Sequence, residues 1–190
     1  MILEVVKYGH PILRKNGEDI GVITPEIEQL IGDMFETMDD YNGIGLAAQQ
    51  IGKAIRLTVI DISLVEDRPS SLELNGQEAD PKSIMPLVLI NPEVSPEGDP
   101  EAGGEGCLSF PEVYGEVARP GYVTVKATNA KGETIEFKAG GLLARCIQHE
   151  VDHLKGILFI DRMDRETREE LKPRLDAMAE ETRSILAEKD

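Results

Sequence analysis

The stretch Leu142-Leu143-Ala144-Arg145-Cys146-Ile147-Gln148-His149-Glu150-Val151-Asp152-His153 decides how the rest of the chain is read. It is predicted to be a helix beginning near Leu142 and closing at Lys155 and Gly156, a cation in the last turn followed by glycine at C′. His149 and His153 stand four residues apart in the pattern H-E-x-x-H. At about 100° per residue they lie one turn apart on one face, so both imidazoles can reach one metal ion. Glu150 stands beside them as a group able to take a proton from water activated by that ion.

Catalytic metal sites usually carry three protein ligands and an open position, so the third ligand sets the class. The long protease pattern H-E-x-x-H-x-x-G-x-x-H fails, because Gly156 fits it but Phe159 stands where the last histidine belongs. Glu166, Glu169 and Glu170 offer carboxylates, yet they read as an exposed helical face. Cys146 shares the histidine stripe, but it stands about 4.5 Å along the axis from His149 and about 10.5 Å from His153. A metal–sulfur bond of about 2.3 Å then keeps it off an ion held between the rings. Cys107, on a glycine-rich stretch outside the helix, has no such restriction and is the expected third ligand. One thiolate and two imidazoles suit Zn(II) or Fe(II).

Working outward, Tyr122–Thr128 and Thr134–Lys138 alternate on either side of Asn129–Gly132 and predict a β-hairpin leading into the H-E-x-x-H helix. Pro96–Gly106, rich in glycine, proline and acids, is expected to be a loop that delivers Cys107. Upstream, Ile55–Ile62 and Leu87–Ile90 read as strands, and residues 64–83 between them as a polar surface insertion. Thr24 and Pro25 cap a helix carrying Ile27, Leu30, Ile31, Met34 and Met38, which should stop near Asn42 and Gly43. A C-terminal helix is expected over 165–190, kinked or restarted at Pro173. This order implies an α+β fold, a central helix on a mainly antiparallel sheet, in a single catalytic domain spanning 1–190.

Composition narrows the function. With 20 basic and 36 acidic residues the net charge is -16, which argues against nucleic-acid binding through a broad basic face. No uncharged stretch is long enough to span a bilayer and residues 1–20 are studded with charge, so a cytoplasmic protein that binds no membrane is expected. Two cysteines, Cys107 and Cys146, are too few for a disulfide scaffold. Gly43–Gln50 reads either as a helix cap with a tight turn or as a ledge of exposed backbone for a peptide.

Three segments, Gly43–Gln50 (G-I-G-L-A-A-x-Q), Glu105–Ser109 (E-G-C-L-S) and Gln148–His153 (Q-H-E-x-D-H), together resemble the peptide deformylase family, and the likeness extends over most of the chain. The resemblance implies a deformylase-like fold and hydrolytic removal of the N-formyl group from the initiator methionine of new polypeptides, releasing formate. It assigns Cys107, His149 and His153 as ligands of one divalent metal, iron first, with Zn(II) and Ni(II) also accepted. Glu150 would be general base and then acid, while Gln50 and the backbone N–H of Leu108 would hold the oxyanion. Ile44, Gly45 and Gly106 would contact an extended peptide. Leu142 and Cys146, on the ligand stripe, are expected to line the methionine pocket with Ile44, and Arg119 to stand near the substrate.

The rival readings are an H-E-x-x-H metalloendopeptidase with a carboxylate third ligand, and a structural metal site completed by a fourth protein ligand, for which His10 is the remaining histidine. Some family members dock on the ribosome through a basic terminal helix. Residues 165–190 carry six basic and eight acidic residues, which disfavours that partner here.

Overall fold

A computed structural model describes residues 1–190. Helix α1 spans Pro25–Asp40; the Thr24 hydroxyl accepts from Ile27 N–H at 3.3 Å, and Pro25 sets the first turn. Ile31, Met34 and Met38 turn one face of α1 into a core shared with Leu46, Leu57 and Val59. The strands are β1 (Gly45–Ala47), β2 (Leu57–Ile60), β3 (Ser70–Leu74), β4 (Gln77–Ala79), β5 (Leu87–Cys107), β6 (Phe110–Thr128) and β7 (Thr134–Gly140). They form one sheet in the order β1-β2-β5-β6-β7-β3-β4, and every pair is antiparallel.

Helix α2 (Gly141–Leu154) follows β7 without a loop. Leu143, Ile147 and Val151 pack against Leu89, Val123 and Val125 of the sheet. Each such burial contributes about 1.5–3 kcal/mol. Every residue of α2 except Gly141 and Arg145 is buried, so its polar side needs partners inside the protein. Gly156, at φ +73°, ends it as expected. Helix α3 (Arg165–Glu188) lies on the surface, with Leu175 in a cluster with Leu13, Val113 and Phe159.

Three segments differ from their sequence reading. Pro96–Gly106 is the outer part of β5 rather than a loop, paired with β6 from Pro96↔Val123 to Gly106↔Tyr114. Its prolines are tolerated because β2 pairs only with Leu87–Ile90, leaving this part of β5 bonded on one side, with register shifts near Pro92 and Pro100. The segment read as a surface loop within 64–83 contains the β3–β4 hairpin, turned by Asn75 (φ +52°) and Gly76 (φ +76°) and paired to β7 through Leu72↔Ala139. Leu72 is buried in the main core. At Pro173 the helix continues without a restart. Pro173 removes the N–H that would bond the Glu169 carbonyl, and both residues face water, which can replace that bond.

Candidate active site

Cys107 ends β5, while His149 and His153 project from α2; their ligand atoms all lie within 4.8 Å of one another. Cys107 Sγ is 3.4 Å from His153 Nε2. Tetrahedral bonds of about 2.0–2.3 Å to nitrogen and sulfur require ligand separations of roughly 3.4–3.6 Å, so the donor set fits a single cation. Glu166, Glu169 and Glu170 lie on α3 outside this group, exposed to solvent, and neither Cys146 nor His10 belongs to it. The His10 ring caps the Pro11–Arg14 turn, accepting from Ile12 N–H at 3.1 Å.

The buried charges around the ligands were not foreseen from the sequence. His149 Nδ1 is 2.8 Å from Glu105 Oε1, which fixes the proton on Nδ1 and leaves Nε2 free to ligate. Glu105 also accepts from Arg119 Nε (2.6 Å), Arg119 Nη2 (3.0 Å) and Arg145 Nη1 (2.8 Å). Arg119 Nη1 then donates to Asp152 at 2.9 Å, and Asp152 accepts from Arg162 at 3.0 Å and 3.2 Å. Arg119 is therefore corrected as a substrate contact. It is 4% exposed, absent from the cleft wall, and spent on holding the carboxylate that aims His149.

Electrostatics follow from depth. Burial opposes ionisation of Glu105, but His149 and Arg119 outweigh it and bring its pKa down to about 2. Burial likewise opposes charge on His149, yet hydrogen bonds with Cys107 and Glu105 raise it to about 10; metal binding competes with that proton. Burial holds His153 well below the usual imidazole range, in the neutral form a ligand needs. Glu150 is pushed up to about 7 by burial, and its Oε2 has no hydrogen-bond partner. Its Oε1 stands 4.0 Å from His149 Nε2, and Glu150 lines the cleft.

A cleft of about 540 Å³ opens over these residues, and Ile44, Gly45, Gly106, Leu142 and Cys146 all line it. Gln50 and Leu108 line it too. Gln50 Oε1 is tied to Ala47 N–H at 2.9 Å, which turns its amide nitrogen to Cys107 Sγ (3.4 Å) and Ser109 Oγ (3.2 Å). A Cβ at position 45 would stand 2.8 Å from Glu150 Oε1, so a side chain there would displace the Glu150 carboxylate. Strand β1 is the edge of the sheet, with one side of its backbone unpaired. Burial keeps the Cys146 thiol well above its usual range, hence neutral, as a pocket wall requires.

The family model described as polypeptide deformylase matches residues 2–169. A peptide deformylase of Opitutus terrae is 44% identical over 186 residues, 97% of this chain and 96% of that protein. One of Methylacidiphilum infernorum is 45% identical over 176 residues, 93% of this chain and 92% of its own. Among solved structures, a Synechococcus elongatus peptide deformylase in complex with actinonin superposes with a TM-score of 0.76 at 40% identity, covering 90% of this chain and 85% of the other.

Proposed function

Because the chain belongs to the polypeptide deformylase family, a metal-dependent hydrolase that removes the N-formyl group from nascent polypeptides, we propose how its own residues divide that reaction. Cys107, His149 and His153 would hold the ion, and their convergence beside the unbonded Glu150 carboxylate is the observation that carries the reading. A divalent cation bound there supplies Lewis acidity and makes water more acidic. Glu150 takes the proton of the attacking water and returns it to the leaving amine, a role suited to its pKa near 7. The Gln50 amide and the Leu108 N–H face the charge that develops on the formyl oxygen; one such donor contributes about 3–4 kcal/mol in comparable sites.

The peptide adds to the open edge of β1 at Ile44 and Gly45 and passes Gly106 on the facing wall, while its methionine side chain enters the pocket of Ile44, Leu142 and Cys146. Main-chain bonding gives affinity that does not depend on the side chains beyond that methionine. Fe(II) is the ion we propose, on the family resemblance; Zn(II) and Ni(II) accept the same donors. We place the enzyme as one catalytic domain in the cytoplasm, acting on nascent chains.

The test is formate release from formyl-Met-Ala-Ser under anaerobic conditions, with metal analysis of the same sample. Turnover with about one ion per chain is expected. A full complement of metal without formate release would overturn the reading.

A further inference from the structure

Arg68 lies on the segment whose sequence suggested only a surface loop, and it lines the cleft. The backbone around it is pinned. Leu142 N–H donates to Pro69 O at 2.9 Å, Leu143 N–H donates to Ser70 Oγ at 3.0 Å, and Ser70 bridges to Gly141. These bonds set Arg68 against the start of α2, beside Leu142, on the wall of the methionine pocket. Its guanidinium is exposed and makes one hydrogen bond, from Nη1 to Gly104 O at 3.2 Å, on β5. A guanidinium has five N–H donors in a planar fork, so most of this one is left without a protein partner at the cleft. The nearby arginine of the cleft, Arg145, is engaged by Glu105, Val117 O and Glu101 O.

We infer that Arg68 is a specificity-determining residue that selects a carboxylate side chain at the third residue of the formylated peptide. The inference rests on the deformylase reading above. In a strand laid along β1, successive side chains alternate faces, so residues one and three share a face about 7 Å apart. Residue one fills the pocket at Leu142 and Cys146. Residue three then emerges on the same wall, where the Arg68 fork stands. Residue two points to the other face, away from it.

The experiment compares kcat/KM for C-terminally amidated formyl-Met-Ala-Asp, formyl-Met-Ala-Ser and formyl-Met-Ala-Lys, amidated so that Arg68 meets no terminal carboxylate. At low salt the aspartate peptide should exceed the serine peptide about three- to fivefold, the range of an exposed ion pair, with the lysine peptide lowest. Raising the salt to about 0.5 M should shrink that spread. Arg68→Ala should bring the three values together, Arg68→Lys should keep part of the preference, and Arg68→Glu should reverse it in favour of lysine. The inference is overturned by an unchanged ratio in Arg68→Ala, by a uniform loss for all three peptides, or by a preference for aspartate at the second residue instead of the third. Failure of the underlying reading looks different: no formate from any of the peptides.

Discussion

Helices α2 and α3 carry much the same kinds of charged residue, and depth gives those residues opposite meanings. On α3 only Leu175 and Ala179 are buried, and Arg165–Glu169 and Lys172–Asp176 are i,i+4 pairs open to water. Such pairs contribute about 0.3–0.5 kcal/mol each. On α2, Asp152 and His149 are part of a chain that starts at the exposed Arg162 and runs inward through the buried Asp152, Arg119, Glu105 and His149. Inside the protein the desolvation cost rivals the attraction, so such a chain is weak evidence of net stability but severe to break. Its value lies in direction, since it holds one ring nitrogen toward the metal position.

That contrast can be broken in graded steps. Cys107→Ala should abolish formate release together with bound metal, both read on one preparation. Glu150→Gln should retain metal while kcat falls about 10³-fold, or about 4 kcal/mol in barrier, separating proton transfer from ligation. Arg119→Met removes the buried cation shared by Glu105 and Asp152, leaving them Arg145 and Arg162 respectively, and should cost about 3 kcal/mol, with calorimetric Tm lowered by roughly 6–12 °C.

Acid titration probes the same chain through Glu105. Its folded pKa of about 2 lies below the ordinary 4.5. The unfolded chain therefore binds the proton more readily, and the stabilisation is complete above pH 4.5. It is lost as pH falls toward 2, by up to about 3 kcal/mol, measurable as a falling denaturation midpoint. Arg119→Met should flatten that slope. Lys172→Ala on α3 should change stability by no more than about 0.5 kcal/mol. A larger change there would mean that the two helices differ less than their burial implies.

What the sequence made legible follows the same division. Periodicity and caps located α1, α2 and the β6–β7 hairpin, because these depend on neighbours in the chain: Thr24 and Pro25, Gly156, and the turn at Asn129. The H-E-x-x-H spacing picked out two ring donors, and axial distances alone set Cys146 aside. The outer part of β5 was missed since glycine and proline usually break strands, whereas here only β6 bonds to it. Asn75–Gly76 between Leu72–Leu74 and Gln77–Ala79 was an available hairpin signal, obscured by the polar surroundings. Arg119 was misplaced for a different reason. Nothing in the residues around it shows its partners, and only the packing of β6 against α2 reveals that it faces two carboxylates inside rather than the substrate. Long-range charge pairing leaves no local pattern.

The brevity of β1 has a consequence for the cell as well as for catalysis. Unpaired backbone at the border of a sheet accepts any extended chain, and long, flat, oily borders nucleate aggregates. Here the border is three residues, closed on one side by the turn at Ala48–Ile51. So short a landing strip, on the peptide docking proposed above, would grip one chain end weakly and let it go, and it offers little length for misfolded neighbours to stack upon. Sequence changes that extended it would trade turnover for stickiness.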